Sequence, residues 1–146
     1  MVSTISDTLE HILLLARYTK RCDISGATVI MLFELGVSTK YIGFEFLKRA
    51  IMKYHKDPTR AFAKDIYQEI ADECSQSSEE QVSQAIRDCI KKAWRNGDEA
   101  AWTWYFAYNG KRPKRPGNAE FITKLARLLE LWNGICEKEV SYESKY

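Results

Sequence analysis

Apolar residues recur at three- and four-residue spacing along almost the whole chain, and no window alternates as a strand would. That pattern admits helices and excludes sheets, so the expected fold is all-α, a compact multi-helix domain of about six or seven helices. With 146 residues and 45% apolar content, the chain is long enough to bury a real core.

The most distinctive break in the pattern reads Cys74-Ser75-Gln76-Ser77-Ser78. Before it, Phe62, Ile66, Ile70 and Ala71 mark a short helix expected to begin near Thr59 or Arg60. Beyond it, Val82, Ala85, Ile86, Cys89, Ile90 and Ala93 form the apolar stripe of a longer helix, which Gly97 closes. Ser77 or Ser78 caps this second helix, and Glu80 follows Ser77 at the spacing of a capping box. Ser83, Gln84, Arg87, Lys91 and Arg95 lie largely away from the stripe. A short helix, a polar turn and a second helix bearing amide and guanidinium groups outward is how a helix-turn-helix is written, and duplex DNA is its leading ligand.

The distribution of charge agrees. The formal net charge of +2 says nothing by itself about nucleic acid. Between residues 51 and 80, however, four Lys/Arg face seven Asp/Glu, whereas between 81 and 115 eight basic residues face three acidic ones. Positive charge is concentrated in the second helix and the loop after it, as a phosphate-binding footprint requires.

The remaining helices follow from caps and breakers. Ser6 or Asp7 opens a first helix with Leu9, Ile12, Leu13 and Ala16 as its stripe. A second passes through Val29, Ile30, Leu32 and Phe33 to Gly36, read as a left-handed C-cap. Ser38 or Thr39 opens a third, with Ile42, Phe46, Leu47, Ala50 and Ile51 inward, and Asp57-Pro58 ends it. A short aromatic helix from Glu99 leads to Asn109-Gly110 and the basic, proline-bounded loop at 111–117. Asn118 caps a last helix carrying Phe121, Ile122, Leu125, Leu128, Leu129 and Trp132, followed by polar residues read as a frayed end. The expected organisation is an N-terminal helical extension over 1–24, the helix-turn-helix domain over 25–133 and a polar tail over 134–146.

Several classes of function find no support in the residues. Cys22, Cys74, Cys89 and Cys136 have no CxxC or zinc-like spacing, and His11 and His55 have no ligand partners at metal-site spacing. No phosphate-binding loop, dinucleotide fingerprint or nucleophile elbow occurs. Neither an enzyme nor a cofactor or metal is expected. The N-terminus lacks a basic segment before its short apolar run, and no stretch is long enough to span a bilayer, so a reducing cytoplasm fits best. The aromatic cluster of Trp94, Trp102, Trp104, Tyr105, Phe106 and Tyr108 is read as packing rather than as a base-stacking platform, because no strand pattern accompanies it.

An ordered set of short segments gives a more specific reading. Phe33-Glu34-Leu35-Gly36-Val37 is followed by Gly43-Phe44-Glu45-Phe46-Leu47-Lys48-Arg49-Ala50-Ile51 and Ile66-Tyr67-Gln68-Glu69-Ile70-Ala71. Then come Val82-Ser83-Gln84-Ala85-Ile86-Arg87, Ala93-Trp94-Arg95-Asn96-Gly97 and Pro116-Gly117-Asn118-Ala119-Glu120-Phe121-Ile122. Together they resemble the DNA-binding effector domain of the master response regulator of endospore formation in Gram-positive bacteria. The resemblance implies a helical domain around a helix-turn-helix, with tandem or dimeric occupancy of short repeated boxes in double-stranded DNA. That regulator carries a phosphorylatable receiver before its effector. The residues preceding the resemblance here read as one helix without βαβ units, so control by aspartyl phosphorylation in cis is not expected. The two positions after the recognition-helix valine, typically glutamate and arginine in the family, are Ser83 and Gln84 here. Their hydrogen-bonding preferences differ, glutamine pairing bidentately with adenine, so the family's box is not assumed.

The leading expectation is a sequence-specific DNA-binding transcription regulator that places the helix at 79–95 in the major groove. Ser83, Gln84 and Arg87 would read bases. Lys64, Gln68, Ser77, Ser78, Lys91, Arg95, Lys111, Arg112, Lys114 and Arg115 would hold phosphates. A solvated helix face, helix capping and the helix dipole explain some of the same residues without DNA. The alternative is a protein-interaction module or antagonist that keeps the fold without base-specific binding, motivated by Ser83 and Gln84 and by the acidic stretch at 65–80. The first helix would either cover the core or supply contacts in a homodimer.

Overall fold

A computed structural model describes residues 5–19, 23–75, 78–106 and 114–145, with side chains over 8–17, 23–75, 78–106 and 114–138. Seven α-helices occur among them: α1 Ile5–Thr19, α2 Ile24–Glu34, α3 Ile42–Lys56, α4 Gln68–Cys74, α5 Glu79–Asn96, α6 Glu99–Phe106 and α7 Asn118–Lys145. A π-helical segment, Phe62–Tyr67, runs directly into α4. The described residues contain no strand, and none of their helices is long and apolar enough to cross a membrane.

The core forms around α3, which packs against α2, α5 and α7. Its buried face is Phe44, Phe46, Leu47, Ala50 and Ile51. The helix begins at Ile42 rather than at Ser38 or Thr39, and Ile42 is exposed. Gly43 takes its place in the packing: a Cβ there would lie 2.4 Å from the Ala85 carbonyl oxygen and 2.5 Å from Cys89 Sγ. Glycine thus lets the start of α3 press onto the backbone of α5.

Other boundaries and stripes differ from the sequence expectation for physical reasons. The Asp57 carboxylate accepts from the amide and hydroxyl of Thr59, holding those residues in a turn. The next helix therefore starts at Phe62, where Asp65 accepts from the Ala61 amide and Ile66 N–H reaches the Ala61 carbonyl. Val29 and Ile30 of α2 are only half-buried and Phe33 is exposed, while Ala27, Met31 and Leu32 fill the core. Ser6 and Asp7 sit inside α1, which already includes Ile5. Its inward stripe is Thr8, Ile12, Leu15 and Ala16, leaving Leu9 and Leu13 outside. The polar C-terminal residues continue α7 to Lys145.

Gly36 does adopt a left-handed φ of 86° at the end of α2, as its position suggested. The aromatic cluster is internal packing. Trp102 is fully buried, meets Trp94 edge-on at 5.1 Å, and donates from Nε1 to the Leu35 and Ala93 carbonyls at 3.0 and 3.2 Å. That one indole locks the ends of α2 and α5 to α6. Tyr108 lies outside the described residues.

Candidate nucleic-acid interface

The two helices of the motif are joined at a left-handed residue, Ser75, with φ 61°. Ser78 then caps α5: its hydroxyl accepts from the Gln81 amide at 3.2 Å, and the Gln81 side chain accepts from the Ser78 amide at 2.9 Å. The capping box thus pairs Ser78 with Gln81, one residue later than the Ser77–Glu80 spacing suggested. Val82, Ile86, Cys89, Ile90 and Ala93 are buried as expected. The apolar side of α5 rests on α3, α4, the π segment and α7.

Both flanks of α5 are fixed. On one, Gly43 abuts Ala85 and Cys89, and Lys92 lies 3.7 Å over the Tyr41 ring. Lys92 is thereby held on the α3 side. On the other, Asn118 at the start of α7 donates to the Ser83 carbonyl at 2.9 Å and approaches its hydroxyl at 3.4 Å. Asn118 also hydrogen-bonds Tyr67; burial pushes that phenol up, opposed by the Asn118 bond and the nearby Arg87 charge. One amide therefore ties the two helices of the motif to the long C-terminal helix. Sequence reasoning assigned Asn118 only a capping role. Its position in the Pro-Gly-Asn segment of the family resemblance was the available signal.

Between these flanks α5 presents a polar chain. Arg87 Nη1 donates to Gln84 Oε1, and Gln84 Nε2 donates to Asp88 Oδ1, each at 2.9 Å and exposed. Gln84 is thus held flat against its own helix with donor and acceptor both occupied by exchangeable, solvent-facing partners. Asp88 was missed from sequence. It lies one turn beyond Gln84 and adds an acceptor suited to a cytosine amino group.

Arg87 lies between two shallow clefts of about 360 and 310 Å³. Ser83 and Tyr67 line both, Arg115 lines the larger and Gln84 the smaller. The structure therefore brings Ser83, Gln84, Arg87 and Arg115 together. Ser83 is half-buried and engaged by Asn118, so it is the least free of the three base-reading candidates. Arg95 is exposed and Lys91 half-buried farther along α5, and Lys114 is exposed. Lys64 and Gln68 are exposed on the first helix of the motif, with the Gln68 amide donating to Asp72 at 3.0 Å. Ser77, Lys111 and Arg112 lie outside the described residues.

Two carboxylates of the acidic stretch before α5, Glu69 and Glu73, are paired with cations, chiefly from α3. Arg49 bridges Glu45 and Glu73 at 3.0 and 3.3 Å, and Lys53 lies 2.9 Å from Glu73. Glu69 takes both Lys53 and Arg60, and their hydrogen bonds hold its carboxyl below the usual range. No group of three or more His, Cys, Asp or Glu side chains among the described residues could hold a metal ion. The two histidines instead face carboxylates, His11 toward Glu34 and His55 toward Glu130, each at 2.9 Å.

A motif of two helices, a solvent-facing polar chain on the second and cations around it matches what the family comparison finds. Residues 28–129 match the model for the C-terminal domain of the sporulation initiation factor Spo0A. The chain belongs to that family. A comparison with curated protein sequences found no match. The Spo0A C-terminal family is a non-catalytic DNA-binding domain, so this chain is a helix-turn-helix DNA-binding regulatory domain and not an enzyme.

Proposed function

We propose that the chain is a sequence-specific regulator of transcription that docks the N-terminal half of α5 in the major groove of duplex DNA. The observation that carries this reading is the exposed Arg87–Gln84–Asp88 chain, set on a helix whose flanks are fixed by Gly43 and Asn118. A base edge would exchange with these solvent-exposed bonds along the helix. Gln84 would then offer donor and acceptor to adenine, and Arg87 two donors to guanine. Ser83 joins them at the rim, where its hydroxyl is shared with Asn118.

Arg115, Lys114, Lys91 and Arg95 flank this face as phosphate ligands, with Lys64 and Gln68 contributing from the first helix. Ser78, Ser77, Lys111 and Arg112 complete the expected backbone contacts. Occupancy of repeated boxes by more than one copy belongs to the same reading, as does a cytoplasmic setting, where the thiols of Cys74 and Cys89 stay reduced.

Selection from a random duplex library followed by anisotropy titration tests this proposal. A single motif should emerge, and Arg87→Ala should weaken binding at least about tenfold. Equal affinity for all duplexes would refute base reading. A protein-interaction module is favoured by one observation, the carboxylates of Glu80 and Asp88 on the same exposed helix. Nuclease-insensitive copurification of a partner, unaffected by Arg87→Ala, would select it.

A further inference from the structure

Helix α1 has a second face that the core does not use. Thr8, Ile12, Leu15 and Ala16 are buried, and α1 packs against α6 and α7. Leu9, Leu13 and Leu14 are 41%, 44% and 50% exposed. Single exposed leucines are ordinary, but three within two turns make a patch.

The charges around that patch are arranged in a particular way. At about 100° per residue, Glu10 and Arg17 fall nearly in line, opposite the buried stripe, with Leu13 and Leu14 on either side of that line. Both charged residues are exposed. They are two turns apart, about 10 Å along the axis.

We propose that α1 pairs with α1 of a second copy of this chain, antiparallel, about a twofold axis passing between Leu13 and Leu14. Turning a copy end over end about that axis sets Glu10 against Arg17 of the second copy, twice. Leu13 then meets Leu13, and Leu14 meets Leu14. Parallel pairing would instead oppose Glu10 to Glu10 and Arg17 to Arg17, so the charges select direction as well as register. A membrane surface is a poorer occupant, because Glu10 lies in the middle of the apolar face where an interfacial helix would carry none.

Because α5 packs chiefly on α3, α4, the π segment and α7, pairing through α1 leaves a recognition helix outward on each copy. One helix face buries less than the roughly 1,200 Å² of a standard interface, so the dimer is weak in isolation. Repeated boxes would strengthen it by raising the local concentration of the second copy. The pairing itself stands on α1 and does not depend on what α5 reads.

Sedimentation equilibrium of the full chain without DNA, from low micromolar to several hundred micromolar, provides the test. A monomer–dimer equilibrium is expected. Glu10→Arg and Arg17→Glu should each weaken it roughly tenfold, because symmetry doubles every like-charge contact. The double reversal should restore it to near the parent value, with thermal unfolding unchanged in all three variants. A monomer throughout the range, single reversals without effect, or a double reversal that fails to recover would each overturn the proposal.

Discussion

The seam between α3 and α4 and the outer face of α5 are both rich in charge, yet their electrostatics are opposite. At the seam Arg49, Lys53 and Arg60 share Glu45, Glu69 and Glu73 in a continuous network. On α5, Arg87 meets an amide rather than a carboxylate, and Lys91 and Arg95 meet no carboxylate among the described residues. Within the acidic segment Glu69 and Glu73 are therefore tied up by neighbouring cations, whereas the basic helix keeps its cations available. Local charge counts locate charge. Pairing decides which of it a ligand can feel.

The widest separation between the two surfaces should come from Arg87→Ala, expected to cost about 1–3 kcal/mol of DNA affinity with little change in melting temperature. Arg60→Ala should leave affinity close to parental; an equal loss in a titration at fixed salt would erase the distinction. Gly43→Ala should lower unfolding stability by about 2 kcal/mol, since the added methyl must displace the α5 backbone. Urea unfolding reads that loss, and DNA binding should fall with it because the recognition helix moves.

Smaller effects separate the surfaces further. Lys53→Gln should cost about 1 kcal/mol of stability while leaving the salt dependence of DNA binding unaltered. Arg95→Gln should do the reverse, reducing the slope of log K against log salt by about 0.9. The least effect near neutrality is that of pH. Glu69 is held below its ordinary value of 4.5 by hydrogen bonds from Lys53 and Arg60. For Glu34, burial pushes upward, but bonds from His11 and Tyr105 and the His11 charge bring the net value below 4.5. A depressed carboxyl stabilises the fold above its unfolded pKa, and that stabilisation is lost as pH falls through the folded value. The contribution of these two carboxylates should thus be constant near neutral pH and be lost as pH falls below about 4.5, and Glu69→Gln should remove part of that acid dependence in chemical unfolding.

Much of the fold was legible because local patterns were strong. The stripe Val82, Ile86, Cys89, Ile90, Ala93 reappears buried on α5, and Ser75 in the polar break before it takes the left-handed conformation that ends α4. Less was legible in α1, where leucines on both faces give the periodicity two solutions. Only contact with α6 and α7 makes Leu15 inward and Leu13 outward. Ile42 was misplaced for a related reason: an apolar residue at the edge of a stripe is buried only if a neighbour covers it. In the candidate site, Arg87 and Gln84 were readable from spacing, while Asn118 and Asp88 were not. Asn118 acts across 35 positions of sequence, and its local context already had a sufficient explanation as a helix cap.

By itself the sequence determined an all-helical chain, the position of its helix-turn-helix and the side of α5 that is polar, because side-chain periodicity and capping act within a few residues. Tertiary structure decided which charges remain unneutralised, how α5 is held and which leucines of α1 are left outward. Those outcomes depend on contacts between segments distant in the chain, where burial and Coulomb pairing are set by proximity in space rather than by order in sequence.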